Sequence, residues 1–245
     1  MSSTAYVRYE LLRTFRNRRF LILSLGFPLV LYFLIAGPNR NEHDIGGTGI
    51  SAPLYFMVGL AAFGTMNAVV ASGARIAAER SVGWNRQLRL TPLSTRVYFR
   101  TKVLTAYLMA IVTIVLLYAA GSSLGVRLSA GDWARMTGLI LVGLIPFAAL
   151  GILLGHLLNV DSIGPAIGGV TALLSILGGV WFPIGSSGAL HAIALCLPSY
   201  WLVQASHVSL GGKSWGATGW LVVAAWSVGL SLLAAYAYRR DTGRA

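Results

Sequence analysis

Apolar runs of about twenty residues recur along this chain, separated by short polar or basic segments. They lie near residues 20–36, 53–74, 103–125, 136–158, 164–182 and 216–238. A helix of about 20 residues spans the ~30 Å hydrocarbon core of a bilayer, and in lipid a helix satisfies all its own backbone hydrogen bonds. The pattern predicts an all-α integral membrane fold with six transmembrane helices in a single domain, 1–245. Pro28 permits a kink inside the first run. The first run exceeds a usual signal-peptide core and follows nineteen helix-like residues, so it reads as a span.

The segments outside the runs carry their own patterns. In 1–19, Val7, Leu11 and Phe15 recur at four-residue spacing while Arg8, Arg13 and Arg16 point elsewhere, which predicts an amphipathic helix lying on the membrane surface. Residues 183–215 are too broken for a span and too apolar for a solvated loop. Gly185, Gly188 and Pro198 divide them into two short helices, and Tyr200 and Trp201 are interface-seeking aromatics. They predict a re-entrant extracellular region, serving as a lid over a substrate exit or as a structural cap.

Composition agrees with the class. The chain is 56% hydrophobic and 11% charged, with a mean hydropathy of +0.71, far from the roughly 25% charged residues of soluble domains. The net charge of +12 would suit nucleic acid, but its distribution argues for topology. Of nineteen Lys and Arg residues, five precede the first run, seven lie between Arg75 and Lys102, and three follow the last run (Arg239, Arg240, Arg244). Arg40, Arg127, Arg135 and Lys213 fall on the other side. This asymmetry predicts both termini in the cytoplasm, with basic residues against anionic headgroups.

Reactive chemistry is missing from the pattern. The four histidines have no metal-ligand spacing, no HExxH occurs, and Gly212-Lys213-Ser214 lacks the glycine a phosphate loop needs where His207 stands. No catalytic residue and no metal ligand is therefore assigned. Cys196, the single cysteine, has apolar neighbours and reads as a packed thiol. No charged residue sits centrally in any run, whereas ion-coupled carriers commonly place ionisable groups there, so the driving energy should come from outside the membrane. Asn67 is the most obvious polar side chain within a run, as a substrate contact or as a helix–helix hydrogen bond. Three GxxxG pairs, Gly121/Gly125, Gly151/Gly155 and Gly164/Gly168, read as helix contacts within the subunit.

The segment 77–102, AAERSVGWNRQLRLTPLSTRVYFRTK, contains the pattern of a docking helix. On a helical wheel Ala77, Ser81, Trp84 and Leu88 share a face, Glu79 near the start and Arg86 and Arg89 near the end match the helix dipole, and Pro92 closes the helix after Thr91. A Trp- and Arg-bearing surface flanked by membrane anchors suits a protein partner.

These residues carry a resemblance. Glu79 and Arg80, Gly83, the leucine-rich lead into Thr91-Pro92-Leu93-Ser94 and the following Lys102 resemble the first cytoplasmic loop of ABC-2-type transporter permeases. Gly178-Gly179, Phe182-Pro183 and the Leu197-Pro198 break before the last span are similar as well. The likeness covers the whole chain and is greatest to small bacterial drug-export permeases, although Trp84 to Gln87 stand where that family often carries a more acidic stretch. The resemblance implies a half-transporter in the bacterial inner membrane. Two permease subunits, as a homodimer, would assemble with two copies of a separate ATP-binding subunit that holds ATP and Mg. Glu79, Arg80, Gly83, Trp84, Leu88, Thr91, Pro92 and Leu93 would form the coupling helix seated on that ATPase. Asn67, Phe182, Pro183 and Trp201 are the candidates for the substrate path, with a drug- or lipid-like cargo moved by alternating access. An ion-coupled transporter or a membrane enzyme acting on lipid is the alternative.

Overall fold

A computed structural model describes residues 3–83, 95–210 and 215–242, and every regular element among them is helical. Helix α1 spans Ser3–Arg16. After Asn17, α2 (Arg18–Leu21) runs through a wide π turn, Ile22–Gly26, into α3 (Phe27–Ala36). The next rods are α4 (Ala52–Val70) and α5 (Ser72–Ser81), α6 (Thr95–Ser123), α7 (Ala130–Gly143) and α8 (Ile145–Leu157), then α9 (Val160–Leu177). Two short helices, α10 (Ala189–Leu195) and α11 (Pro198–Gln204), and a 3-10 segment Ala205–Leu210 precede α12 (Ala217–Thr242).

Five helical rods are long and apolar enough to cross a membrane: Ala52–Ser81, Val97–Ser123, Ala130–Leu157, Val160–Leu177 and Ala217–Arg240. The first apolar run, expected as a sixth, forms a shorter apolar helix, Ser24–Ala36, reached through the π turn. Pro28 is the physical reason. It has no N–H for the carbonyl one turn back, and the backbone widens there to accommodate the loss. The rod 130–157 breaks at Leu144, two residues before Pro146, by the same rule.

α4 is the core. All of its residues except Phe63 and Asn67 are buried, so its apolar side chains run all round the helix rather than along one stripe. α3, α6, α8, α9 and α11 pack against it, whereas α9 and α12 turn most of their own surface outward. α5 crosses α8 at glycines: a Cβ on Gly73 would lie 1.9 Å from the Gly151 carbonyl oxygen, and one on Gly155 2.6 Å from that of Gly73. The Gly151/Gly155 pair is thus a contact within the subunit. The Gly164/Gly168 pair is not, since a Cβ at either position meets nothing within 4 Å.

In α1 the residues turned into the protein are Tyr6, Glu10 and Thr14, a polar face that burial tolerates because its carboxylate finds a buried cation; Val7 and Leu11 are half-buried and Phe15 is exposed. One expectation needs correction. Cys196 is exposed, since it closes α10, a helix with little cover. The 183–210 region is divided: α10 lies mostly exposed, while α11 is buried from Pro198 to Val203. Hydrogen bonds from the Trp215 indole to the Trp201 carbonyl (2.6 Å), from Trp226 to the Cys196 carbonyl (2.8 Å) and from Trp201 to the Leu195 carbonyl (3.1 Å) pin it.

Candidate functional site

Three helices each bring residues one turn apart to a single buried point. α1 supplies Tyr6, Glu10 and Thr14, α5 supplies Arg75 and Glu79, and α6 supplies Tyr98 and Lys102. Side chains four apart on a helix stand one above the other, so a single apposition aligns both levels. The Lys102 Nζ donates to Glu10 Oε1 and to Glu79 Oε1, each at 2.6 Å. The Tyr98 hydroxyl donates to Glu79 Oε2 at 2.7 Å, and Arg13 Nη1 lies 3.1 Å from Glu79 Oε1. Arg75 stands 3.8 Å from Glu10 Oε1 and donates to the Thr14 hydroxyl, which itself donates to the Glu10 carbonyl at 2.8 Å.

The cluster is dry. The side chains of Lys102, Glu10 and Glu79 are 2%, 2% and 3% exposed. Charges at that depth persist only when each is paired and hydrogen-bonded, and here an ammonium shared by two carboxylates meets the condition. The Tyr6 ring packs against Tyr98, with centroids 6.3 Å apart, but its buried hydroxyl has no hydrogen-bond partner among the described residues. Burial first, and the negative charges of Glu10 and Glu79 next, push the Tyr6 phenol well above its ordinary pKa, so it stays a neutral donor.

The chemistry available to this site is mechanical. It offers no nucleophile, and among the described residues no three His, Cys, Asp or Glu side chains could hold a metal ion. What it does is tie three helices together where the chain leaves α5 and re-enters α6. Arg80 extends the tie in the other direction, donating to the carbonyls of Gly155 (3.1 Å) and Leu158 (3.4 Å) at the C-terminal end of α8, where a cation opposes the negative end of the helix dipole.

Glu79 does not begin a docking helix. It sits near the end of α5, which stops at Ser81, and the chain turns at Gly83 with a φ of +67°, a left-handed conformation that glycine adopts without penalty. Neither Glu79, buried against Lys102, nor Ala77, also buried, presents an outward face. Trp84, Leu88, Thr91, Pro92 and Leu93 lie outside the described residues. Sequence reasoning missed Glu10 and Lys102 as partners. Their signal was present: Glu10 is the lone acid in the basic 1–19 segment, as Glu79 is between Arg75 and Lys102.

The four path candidates have separate settings. Asn67 accepts a hydrogen bond from the Thr171 hydroxyl (2.9 Å) and donates to the Phe63 carbonyl (3.1 Å), joining α4 to α9. The Phe63 ring packs edge-on against Trp181, centroids 5.4 Å apart. Phe182 is exposed, Pro183 packs beside the turn at Gly46, and Trp201 is buried in α11.

Comparison with known proteins agrees with this architecture. A family model described as ABC-2 type transporter matches residues 3–210. The chain is also 28% identical over 237 residues to the "Putative transport permease YvfS" of Bacillus subtilis (strain 168), covering 95% of each chain.

Proposed function

Since the chain belongs to the ABC-2 type transporter family, as its non-catalytic membrane permease component, we propose that it is half of an exporter driven by a separate ATPase. Two copies of the permease pair with two copies of an ATP-binding subunit, which holds the ATP and Mg. Both termini face the cytoplasm of a bacterial inner membrane, with the first apolar segment, 18–36, completing a sixth crossing. The cargo is hydrophobic or amphipathic, drug- or lipid-like, and moves by alternating access.

The observation that carries the reading is the Glu10–Lys102–Glu79 cluster at the root of the 84–94 segment. A segment that receives force from a partner needs rigid ends. Here α5 and α6 are locked to each other and to α1, so a pull on the segment moves three helices together rather than unwinding one. The roles within the coupling set then divide. Trp84, Leu88, Thr91, Pro92 and Leu93 form the surface that meets the ATPase, whereas Glu79, Arg80 and Gly83 anchor and aim it. Phe182 and the half-buried flank of Asn67 border the cargo path, with Pro183 and Trp201 as its supports.

Co-purification with an ATPase followed by vanadate-sensitive transport tests the class. Trp84→Ala and Leu88→Asp should uncouple ATP hydrolysis from transport while the purified permease keeps its wild-type melting temperature. Full transport by the purified chain without nucleotide would overturn the proposal.

A further inference from the structure

Helix α1 has two charged faces, and only one is spent inside the protein. Its inner face is committed through Glu10 to Lys102 and Arg75. On the opposite side Arg8 and Arg16 are exposed, interleaved with Tyr9 and Leu12, each 51% exposed, and Phe15 at 44%; Arg18 follows immediately, also exposed. Arg8, Arg16 and Arg18 have no ion pair among the described residues. The nearby carboxylates are already taken: Glu79 by Lys102 and Arg13, and Glu10 by Lys102 and Arg75.

Water suits the arginines but not Leu12 and Phe15. The hydrocarbon core of a bilayer suits Leu12 and Phe15 but not the arginines. The headgroup–acyl boundary of an anionic membrane suits both, with apolar side chains and arginine stems in the acyl region and guanidinium groups on phosphate. We infer that the outer face of α1, with Arg8, Arg16 and Arg18, is a binding site for anionic phospholipid headgroups. This goes beyond the transport reading and stands without it, because its test needs neither ATPase nor cargo.

The full-length permease is placed in nanodiscs holding equal amounts of phosphatidylglycerol and phosphatidylcholine, and the lipids that stay bound are counted by native mass spectrometry. The wild type should retain phosphatidylglycerol preferentially. The Arg8→Gln/Arg16→Gln/Arg18→Gln variant should lose retention by about fivefold per arginine, the factor expected for a basic residue at an anionic surface. Arg8→Lys/Arg16→Lys/Arg18→Lys should keep it, as should Arg40→Gln/Arg135→Gln at the other end of the molecule. High salt applied to the wild type should reproduce the Gln result without changing the sequence. Equal retention of the two lipids by the wild type would overturn the inference, as would undiminished preference in the Gln variant. Full competition by free glycerol phosphate would also overturn it, by making the site one for small anions.

Discussion

Lys102→Met is the sharpest perturbation of the cluster. At 2.6 Å from each carboxylate, the ammonium gains about 6 kcal/mol of gross attraction per pair at an effective dielectric of about 20, most of it offset by desolvation of the three charges. Methionine keeps the length of the side chain and removes its charge. Glu79 would still have Arg13 and the Tyr98 hydroxyl, but Glu10 would be left with Arg75 at 3.8 Å. A buried charge deprived of its partner costs about 3–5 kcal/mol. At roughly 2–4 °C per kcal/mol for a chain of this size, the melting temperature of the purified permease should fall by about 10 °C. Lys102→Met/Glu10→Gln/Glu79→Gln should recover part of the loss, because both buried carboxylates become neutral, although Arg13 and Arg75 lose their acidic partners. That triple variant should nevertheless hydrolyse ATP without transporting when assembled with its ATPase, since hydrogen bonds among amides do not lock three helices as the shared ammonium does. A shift under 2 °C for Lys102→Met would refute the reasoning, as would a triple variant no more stable than the single one.

Removing the orphaned hydroxyl with Tyr6→Phe should leave thermal stability unchanged or raise it by about 1 kcal/mol, whereas Tyr98→Phe should cost about 1.5–3 kcal/mol by deleting a hydrogen bond to a buried carboxylate; equal effects in a melting assay would contradict the bonding described. Gly151→Ala brings a Cβ to 2.8 Å from the Val70 carbonyl oxygen and should destabilise by about 1–3 kcal/mol. Gly168→Ala, with open space around it, should be neutral or stabilising by up to about 1 kcal/mol. Asn67→Leu and Thr171→Val break the same α4–α9 hydrogen bond and should each cost about 0.6–1.7 kcal/mol. Only Asn67→Leu should also change transport rate in reconstituted vesicles if Asn67 borders the cargo path.

What the chain made legible was whatever depends on local pattern. The apolar runs after the first reappear as membrane-length helices, and the glycine and proline breaks between 183 and 210 mark two short helices. The first run reappears as helical turns from 18 to 36 that widen at Ile22–Gly26, just ahead of Pro28, a local feature that hydropathy counting does not see. The inner face of α1 was not legible for a different reason. Periodicity ranks faces by apolar content, and it marked Val7, Leu11 and Phe15 as the side toward the membrane. The face turned into the protein carries Glu10, whose cation stands 92 residues away on another helix, a pairing that no local window contains.

The same limit explains Glu79, and its correction narrows the coupling surface. Read locally, an acid ahead of two arginines is a helix start, and the segment from Glu79 to Thr91 becomes one docking helix. The glycine at 83 with its positive φ ends that continuity, and the carboxylate is spent on Lys102, Arg13 and Tyr98. An acid that is alone in a basic segment of a membrane protein costs too much to leave unpaired at a buried helix end, so its partner had to be sought among distant cations rather than in the dipole of its own helix. On the reading proposed above, Glu79 and Arg80 act as tethers and the surface offered to a partner begins beyond Gly83, while Lys102, Arg13 and Tyr98 converge on the Glu79 carboxylate and hold α5 against α1 and α6 beneath it.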